Sequence, residues 1–437
     1  MALEDTVATS PSSAGERRSL GPVRIRLTIS AGLVACALAA GAPALAGSDL
    51  GSHPDHHRAP DVPRKLHPKH SSGGEPGVLA PARTSTSPRR TTTDDKVSWR
   101  VAPGVTFTRW TQTDARGPIV AHLLTVDPST PGLRIDYASE GSVRRVAPVR
   151  DILAADGAVA GVNGDFYDIG HTGAPLGLGK DRQRGLLHAR QDGWNNAFFI
   201  NRNGRAGIGD LPMTATVVGH PRLHVTNLNS SFVTPGGLGL YTPRWGRTAG
   251  YSVTQGQHER VREVTVANGR VVRNRGKLGN DQVIPGLVLV GRGDNAARLR
   301  TQLPKGTPVR VRWSLAGHPQ MAISGNHFLV HDGVIRAVDD RVMAPRTAVG
   351  VDSDTGEVLL LVVDGRSRQS RGYTMVELAD LMVDLGADEA VNLDGGGSST
   401  MVGRNRNGAT AVLNTPSDGF QRWVSNAVAI EYHRPAG

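Results

Sequence analysis

Leu359-Leu360-Leu361-Val362-Val363-Asp364-Gly365, then Thr374-Met375-Val376-Glu377-Leu378-Ala379-Asp380-Leu381-Met382, then Ala390-Val391-Asn392-Leu393-Asp394-Gly395-Gly396-Gly397 are the three runs that decide the fold. Residues 357–363 are almost continuously apolar, the pattern of a strand buried on both faces. Thr374 followed by Glu377 is a capping box: the hydroxyl caps the first turn and the carboxylate reaches back. Met375, Leu378, Ala379 and Met382 then recur at i, i+3, i+4 and i+7, one face of a helix, and Gly386 is placed to stop it. Residues 390–393 form the next strand. Strand, helix, strand predicts a right-handed crossover between parallel strands. Both strands end in Asp-Gly, so Asp364 and Asp394 should share one rim, the edge where α/β sheets place ligands.

A third strand end repeats the signature at Ala160-Gly161-Val162-Asn163-Gly164-Asp165-Phe166-Tyr167. Further strands are predicted over 119–126, 133–137, 158–162, 194–200, 283–290 and 309–315, and a short helix over 146–155. Asn268-Gly269 between residues 261–266 and 271–272 predicts a hairpin, because Asn-Gly suits a type I′ turn. Strands outnumber helices before residue 340. The expected fold is therefore α+β (mixed α/β): a strand-rich mixed sheet with few helices and a βαβ crossover near residues 357–394.

The chain has 437 residues, enough for a large core, and a net charge of +11 with 4% aromatic residues. That charge favours anionic partners. Nucleic acid is not expected: there is no helix-turn-helix, no zinc knuckle and no basic stripe interleaved with aromatics. Arg17, Arg18, Arg24 and Arg26, the apolar run 27–42 and Ala44-Leu45-Ala46 read as a signal peptide over residues 1–46. The run is too short to span a bilayer, so a mature secreted form without a transmembrane span is expected. Leu33-Val34-Ala35-Cys36 gives an alternative, a lipoprotein anchored through Cys36, the only cysteine. Residues 47–96 are Pro, Ser, Thr, His and charge, the composition of a disordered linker. Residues 97–437 are left as the globular domain.

The chemistry gathers in Asn392 to Met401. Glycine lacks a Cβ, so the turn Gly395-Gly396-Gly397 lets a solute approach bare amides. Asp394 stands at one edge of it and Ser398 and Ser399 at the other. Arg346 and Thr347 precede another apolar run, and an Arg fork suits phosphate or carboxylate. Other chemistries fit poorly. A nucleophile elbow needs Gly two residues after Ser398, where Thr400 stands. There is no P-loop and no H-E-x-x-H. Asp352, Asp354 and Gly356 only faintly follow a calcium loop.

Taken together and in order, these blocks resemble the phosphodiester glycosidase family over roughly residues 100 to 433. The matching pieces are Asn163 to Tyr167, Gly325-Asn326-His327-Phe328-Leu329-Val330, Arg346 to Gly350, Leu361 to Gly365, Asn392 to Thr400, and Asn414-Thr415-Pro416-Ser417-Asp418 with Arg422. The family's first block often reads Asn-Gly-Gly-Phe; here Asp165 replaces the second glycine. The resemblance implies hydrolysis of a sugar-1-phosphodiester in envelope glycopolymer or exopolysaccharide metabolism, releasing sugar and a phosphomonoester. It implies Asp394 as the leading catalytic carboxylate with Asp364 or Asp165 as partner. Arg346 and the Gly395–Ser399 backbone would hold phosphate, and Asn163 and Asn392 would hold sugar hydroxyls. Tyr167, Asn326, Thr347 and Arg422 would complete a site for sugar phosphate or an anionic glycopolymer. No cofactor is firmly expected, and a divalent cation stays open. The alternatives are a non-catalytic glycopolymer-binding module and a metal-dependent phosphodiesterase cutting P–O.

Overall fold

The three opening runs fold as their periodicities require in the computed structural model, which describes residues 71–74, 77–81 and 92–435. All of these belong to one unit, His53–Gly437. The signal peptide, Cys36 and the histidine-rich start of the linker lie outside the described residues. Strand Val358–Val363 is buried at every position. Its alternate side chains serve two cores, Leu360 and Val362 in one and Leu359, Leu361 and Val363 in the other. Helix Met375–Asp384 has the full capping box, Thr374 accepting from the Glu377 amide and Glu377 from the Thr374 amide. It seats Leu378, Ala379 and Met382 on the second of those cores. Strand Glu389–Asn392 follows.

The two strands joined by this helix are parallel, as expected, but not neighbours. Strand Arg346–Val351 lies between them and pairs antiparallel with both, Thr347 against Val362 and Ala348 against Asn392. A helix is about 10 Å across and adjacent strands about 4.8 Å apart, so one crossover helix covers the width of an inserted strand. The C-terminal ends of both strands still point to one rim, and Asp364 and Asp394 follow them there.

The sheet containing these strands has eight members, from Thr92–Ala102 at one edge to Val334–Ile335 at the other. A five-stranded sheet carries Ala160–Asn163 in its middle, and a ten-stranded sheet carries Gly185–Arg190 and Met321–Ser324. The main core lies between the sheets: Phe107, Leu124, Leu360 and Val391 meet Ile135, Val162, Val428 and Ile430, with Phe198 and Ile323 from the third sheet. Among the described residues the strand pairs are antiparallel except Asn227–Leu228 with Leu238–Tyr241. The strand-rich α+β expectation therefore holds, with three α-helices among the described residues.

Local differences have local causes. The strand expected over 283–290 is two, Asn280–Val283 and Leu287–Arg292, because Pro285 has no N–H for a ladder. The helix expected from 146 begins at Val149. The Asn-Gly hairpin forms with φ of 48° at Asn268 and 70° at Gly269, as a type I′ turn demands. Parts of the expected linker are also structured. The strand paired with Val105–Asp114 starts at Thr92, Val78–Leu79 pairs with Val342–Met343, and Ser72 is buried, its Oγ accepting from the Tyr167 amide. No helix among the described residues is long and apolar enough to cross a membrane.

Candidate active site

Three strand ends meet at Gly164. Strand Ala160–Asn163 ends beside the turn after Glu389–Asn392, and the Asp394 amide donates to the Gly164 carbonyl (3.0 Å). The Asn163 Nδ2 donates back to the Asp394 carbonyl (2.6 Å). Asp165 is the next residue, so Asp394 and Asp165 flank one backbone unit. Both are buried, each 1% exposed. The Asp165 Oδ2 accepts from the Gly177 amide (2.9 Å), and among the described residues its Oδ1 meets no hydrogen-bond donor. Burial raises the Asp165 carboxyl well above the usual range, and the negative charge of Asp394 adds to the rise.

The residue whose amide faces Asp165 is itself held through its carbonyl. The His188 Nδ1 bonds the Gly177 carbonyl and its Nε2 the Tyr137 hydroxyl, both at 2.9 Å. A carbonyl can only accept, so Nδ1 carries the proton and Nε2 accepts from tyrosine. Burial pulls the His188 ring down to about 4, which keeps it in that neutral form, and pushes the Tyr137 hydroxyl up. Gly177 has no room for a Cβ, which would lie 1.9 Å from the Ser324 Oγ.

The triglycine turn is a short 3-10 helix, Gly396–Ser398, entered through Gly396 at φ 61°. A Cβ on Gly397 would meet the Arg422 Nη2 at 2.0 Å and the Asp418 Oδ2 at 2.3 Å, so glycine lets that ion pair lie on the bare backbone. The Gly396 amide is committed to the Pro345 carbonyl, and Gly395 sits beside Pro345 and Arg346. Ser398 has a buried Oγ with no partner, whereas the Ser399 Oγ meets Thr347.

The residues expected from the sequence thus converge, but they divide into two groups. Asp364 lies on the same rim, yet both oxygens are engaged, with His122 Nε2 (2.9 Å), Asn414 Nδ2 (3.1 Å) and the Thr415 amide. Its position is that of a clamp on the Asn414 loop, which in turn bonds the Ser399 carbonyl. Asn163 Oδ1 accepts from Thr347 and from the Thr400 amide, so Asn163 and Thr347 brace the turn and leave little to offer a sugar. The Tyr167 hydroxyl donates to the Trp423 carbonyl. Arg346, expected to hold phosphate, donates to the Tyr373 and Val342 carbonyls, and burial pulls it down to about 10. Asn392 and Asn326 bond each other, leaving the Asn392 Oδ1 buried without a donor.

Residues missed at the sequence level complete the surroundings. Asn426 accepts the Asp165 amide at its Oδ1, and its Nδ2 has no acceptor. Arg190, 8% exposed, has a positive charge that acts on Asp165. The signal for it was present: His188 and Arg190 are polar residues two apart on an otherwise apolar strand, hence on one face. His331, Asp332 and Glu389 are the one His/Asp/Glu group among the described residues close enough to share a cation. They sit at the other end of strand His327–His331 from the residue that pairs with Asn392. A cleft of about 530 Å³ lies elsewhere, beside Thr214–Thr216 and Val311–Ser314. The turn Ser72–Gly74 packs against Gly396–Ser398.

Residues 246–431 match the phosphodiester glycosidase family. The resemblance drawn from the motifs is borne out. The matched stretch contains Asp364, Asp394 and Arg422, while Asp165 and Arg190 precede it. Over 94 residues the chain is 37% identical to the SPbeta prophage-derived uncharacterized protein YomE of Bacillus subtilis (strain 168), covering 22% of this chain and 14% of that protein. Over 101 residues it is 41% identical to N-acetylglucosamine-1-phosphodiester alpha-N-acetylglucosaminidase of Bos taurus, covering 22% of this chain and 18% of that enzyme. The chain therefore spans less than a fifth of the curated relatives it matches. Among solved structures, a candidate exported protein of Burkholderia pseudomallei K96243 aligns with a TM-score of 0.64 at 20% identity, covering 82% of this chain and 100% of that one, which extends the likeness in fold.

Proposed function

We propose that the protein hydrolyses a sugar-1-phosphodiester at its C–O bond, as an extracellular glycosidase acting on a sugar-capped phosphate of the N-acetylglucosamine-1-phosphodiester kind. The observation that carries this is the pair Asp394 and Asp165, two buried carboxyls on either side of Gly164, with burial raising the Asp165 carboxyl well above its usual range. A carboxyl raised in this way favours its neutral form and can act beside a second carboxylate in glycoside cleavage. Asp394 is the carboxylate for the anomeric carbon, as nucleophile or as base for water. The C1–O bond breaks and its electron pair stays with the phosphate oxygen. The leaving phosphomonoester has a second pKa near 6 and needs little protonation. Asp165 presents its unengaged Oδ1 as a neutral hydrogen-bond donor.

An envelope glycopolymer or exopolysaccharide is the class of substrate that suits the positive net charge and the expected export. The test is turnover of a sugar-capped aryl phosphodiester by the purified chain. Asp394→Asn should cost about a thousandfold in kcat, the scale of losing a positioned catalytic carboxylate. A variant as active as the wild type would refute the assignment.

A further inference from the structure

Among the described residues, Arg190 is a buried charged group near the carboxyl pair whose Nε and Nη1 make no hydrogen bond. It is the last residue of strand Gly185–Arg190, with the exposed residues 191–193 after it. Its Nε and Nη1 are buried and meet no acceptor among the described residues, and it forms no ion pair there. Its guanidinium lies over the Phe232 ring, 4.6 Å from the centroid. Removing a guanidinium from water without an acceptor is costly, so such a group either carries a structural ion pair or awaits an anion. The first is absent. Asp165 and Asp192 act on it only through their charge.

The surroundings are donors as well. Asn227 lies directly across the antiparallel ladder from Arg190, so the two side chains share a face. The Asn227 Nδ2 has no acceptor, nor do the buried hydroxyls of Ser230 and Ser231, next in chain to Phe232, have partners. Two residues back along the strand, on the same face, His188 bonds the carbonyl of Gly177, the residue whose amide donates to Asp165. Trp194, just beyond Arg190, packs its ring 5.5 Å from that of Phe166, the neighbour of Asp165. The donor cluster and the carboxyl pair are thus adjoining parts of one site.

We infer that Arg190, stacked on Phe232 and assisted by Asn227 and the Ser230–Ser231 hydroxyls, is the subsite for the phosphate of the substrate, a role that rests on the glycosidase reading for its place beside the scissile bond. Arg346, whose nitrogens serve backbone carbonyls, is a structural residue. A planar fork held flat against an aromatic ring presents its N–H groups to a phosphate in fixed geometry, which lysine cannot reproduce. The subsite sets specificity for an anionic leaving group and holds the charge that grows on the phosphate oxygen as C1–O breaks.

The test is calorimetric titration of inorganic phosphate, at constant ionic strength, into the full chain and into Arg190→Gln and Arg190→Lys, with phosphodiester kinetics alongside. The wild type should bind phosphate saturably. Arg190→Gln should weaken that binding at least about tenfold and cut kcat/KM on the diester about a hundredfold, and Arg190→Lys should recover part of both. Arg190→Gln should melt no lower than the wild type, since it removes an unpaired buried charge; a residue with a merely structural role would lower the melting temperature on removal. Phosphate binding unchanged in Arg190→Gln, or no saturable binding by the wild type, overturns the subsite. Diester hydrolysis that survives Arg190→Gln with unchanged kcat and KM also overturns it while leaving the glycosidase standing. Arg190-dependent phosphate binding without diester hydrolysis does the reverse.

Discussion

At the scale of single residues, the site is a contrast between committed and uncommitted polar groups. Asp364, Asn163, Thr347 and Arg346 are all engaged with the protein, and what they hold is the triglycine turn and its neighbours. Asp165 is different, because half its carboxyl is open and burial favours its neutral form. An acid whose folded pKa lies above its unfolded value of about 3.9 binds more protons in the folded state. Stability is then lost as pH rises from about 4 through the raised value. Asp165→Asn, which cannot ionise, should escape that loss: its melting temperature should exceed the wild type's by a few degrees at pH 8 and match it below about pH 4. The same substitution should flatten the alkaline limb of kcat/KM, where the wild type loses activity as Asp165 ionises. Thermal melts and rate profiles across pH check both; a variant less stable at pH 8, with the limb intact, would show that Asp165 is ionised in the native protein.

At the scale of elements, the crossover between residues 358 and 392 supports the rim. Met382 is fully buried where the helix Met375–Asp384 lies on the sheet. Met382→Ala should cost about 2–5 kcal/mol, seen as a lower urea midpoint with an unchanged slope, and should leave kcat of the folded protein unaltered because no rim residue sits on the helix. The periodicity of this unit was fully legible: apolar run, capping box and i, i+3, i+4 stripe each fixed an element. What the pattern could not show was the strand between the two parallel ones. Residues 346–351 are apolar enough to pair with anything, and their place depends on long-range ladder partners. Likewise Pro285 split a strand that hydropathy alone joined.

At the scale of the whole molecule, three sheets bring residues far apart in sequence to one place: Asp165 and Arg190 from the first half of the domain, Asp394 and Arg422 from the last quarter. The Asp394 block could be found because its glycines mark a close approach of backbone to other groups. Arg190 was harder to find: its alternation with His188 marks a shared face, but an arginine at a strand end is ordinary until its surroundings prove to hold no acceptor. The turn Ser72–Gly74 shows that sequence composed like a linker can also dock on the folded domain, held there by the backbone of Tyr167. In the proposed function a buried carboxyl pair directs cleavage to the sugar side of a phosphodiester. Hydrolysis of a sugar-1-phosphodiester in oxygen-18-labelled water, read by mass spectrometry of both products, tests it most directly: the label should appear in the sugar, and label in the phosphate would contradict the account.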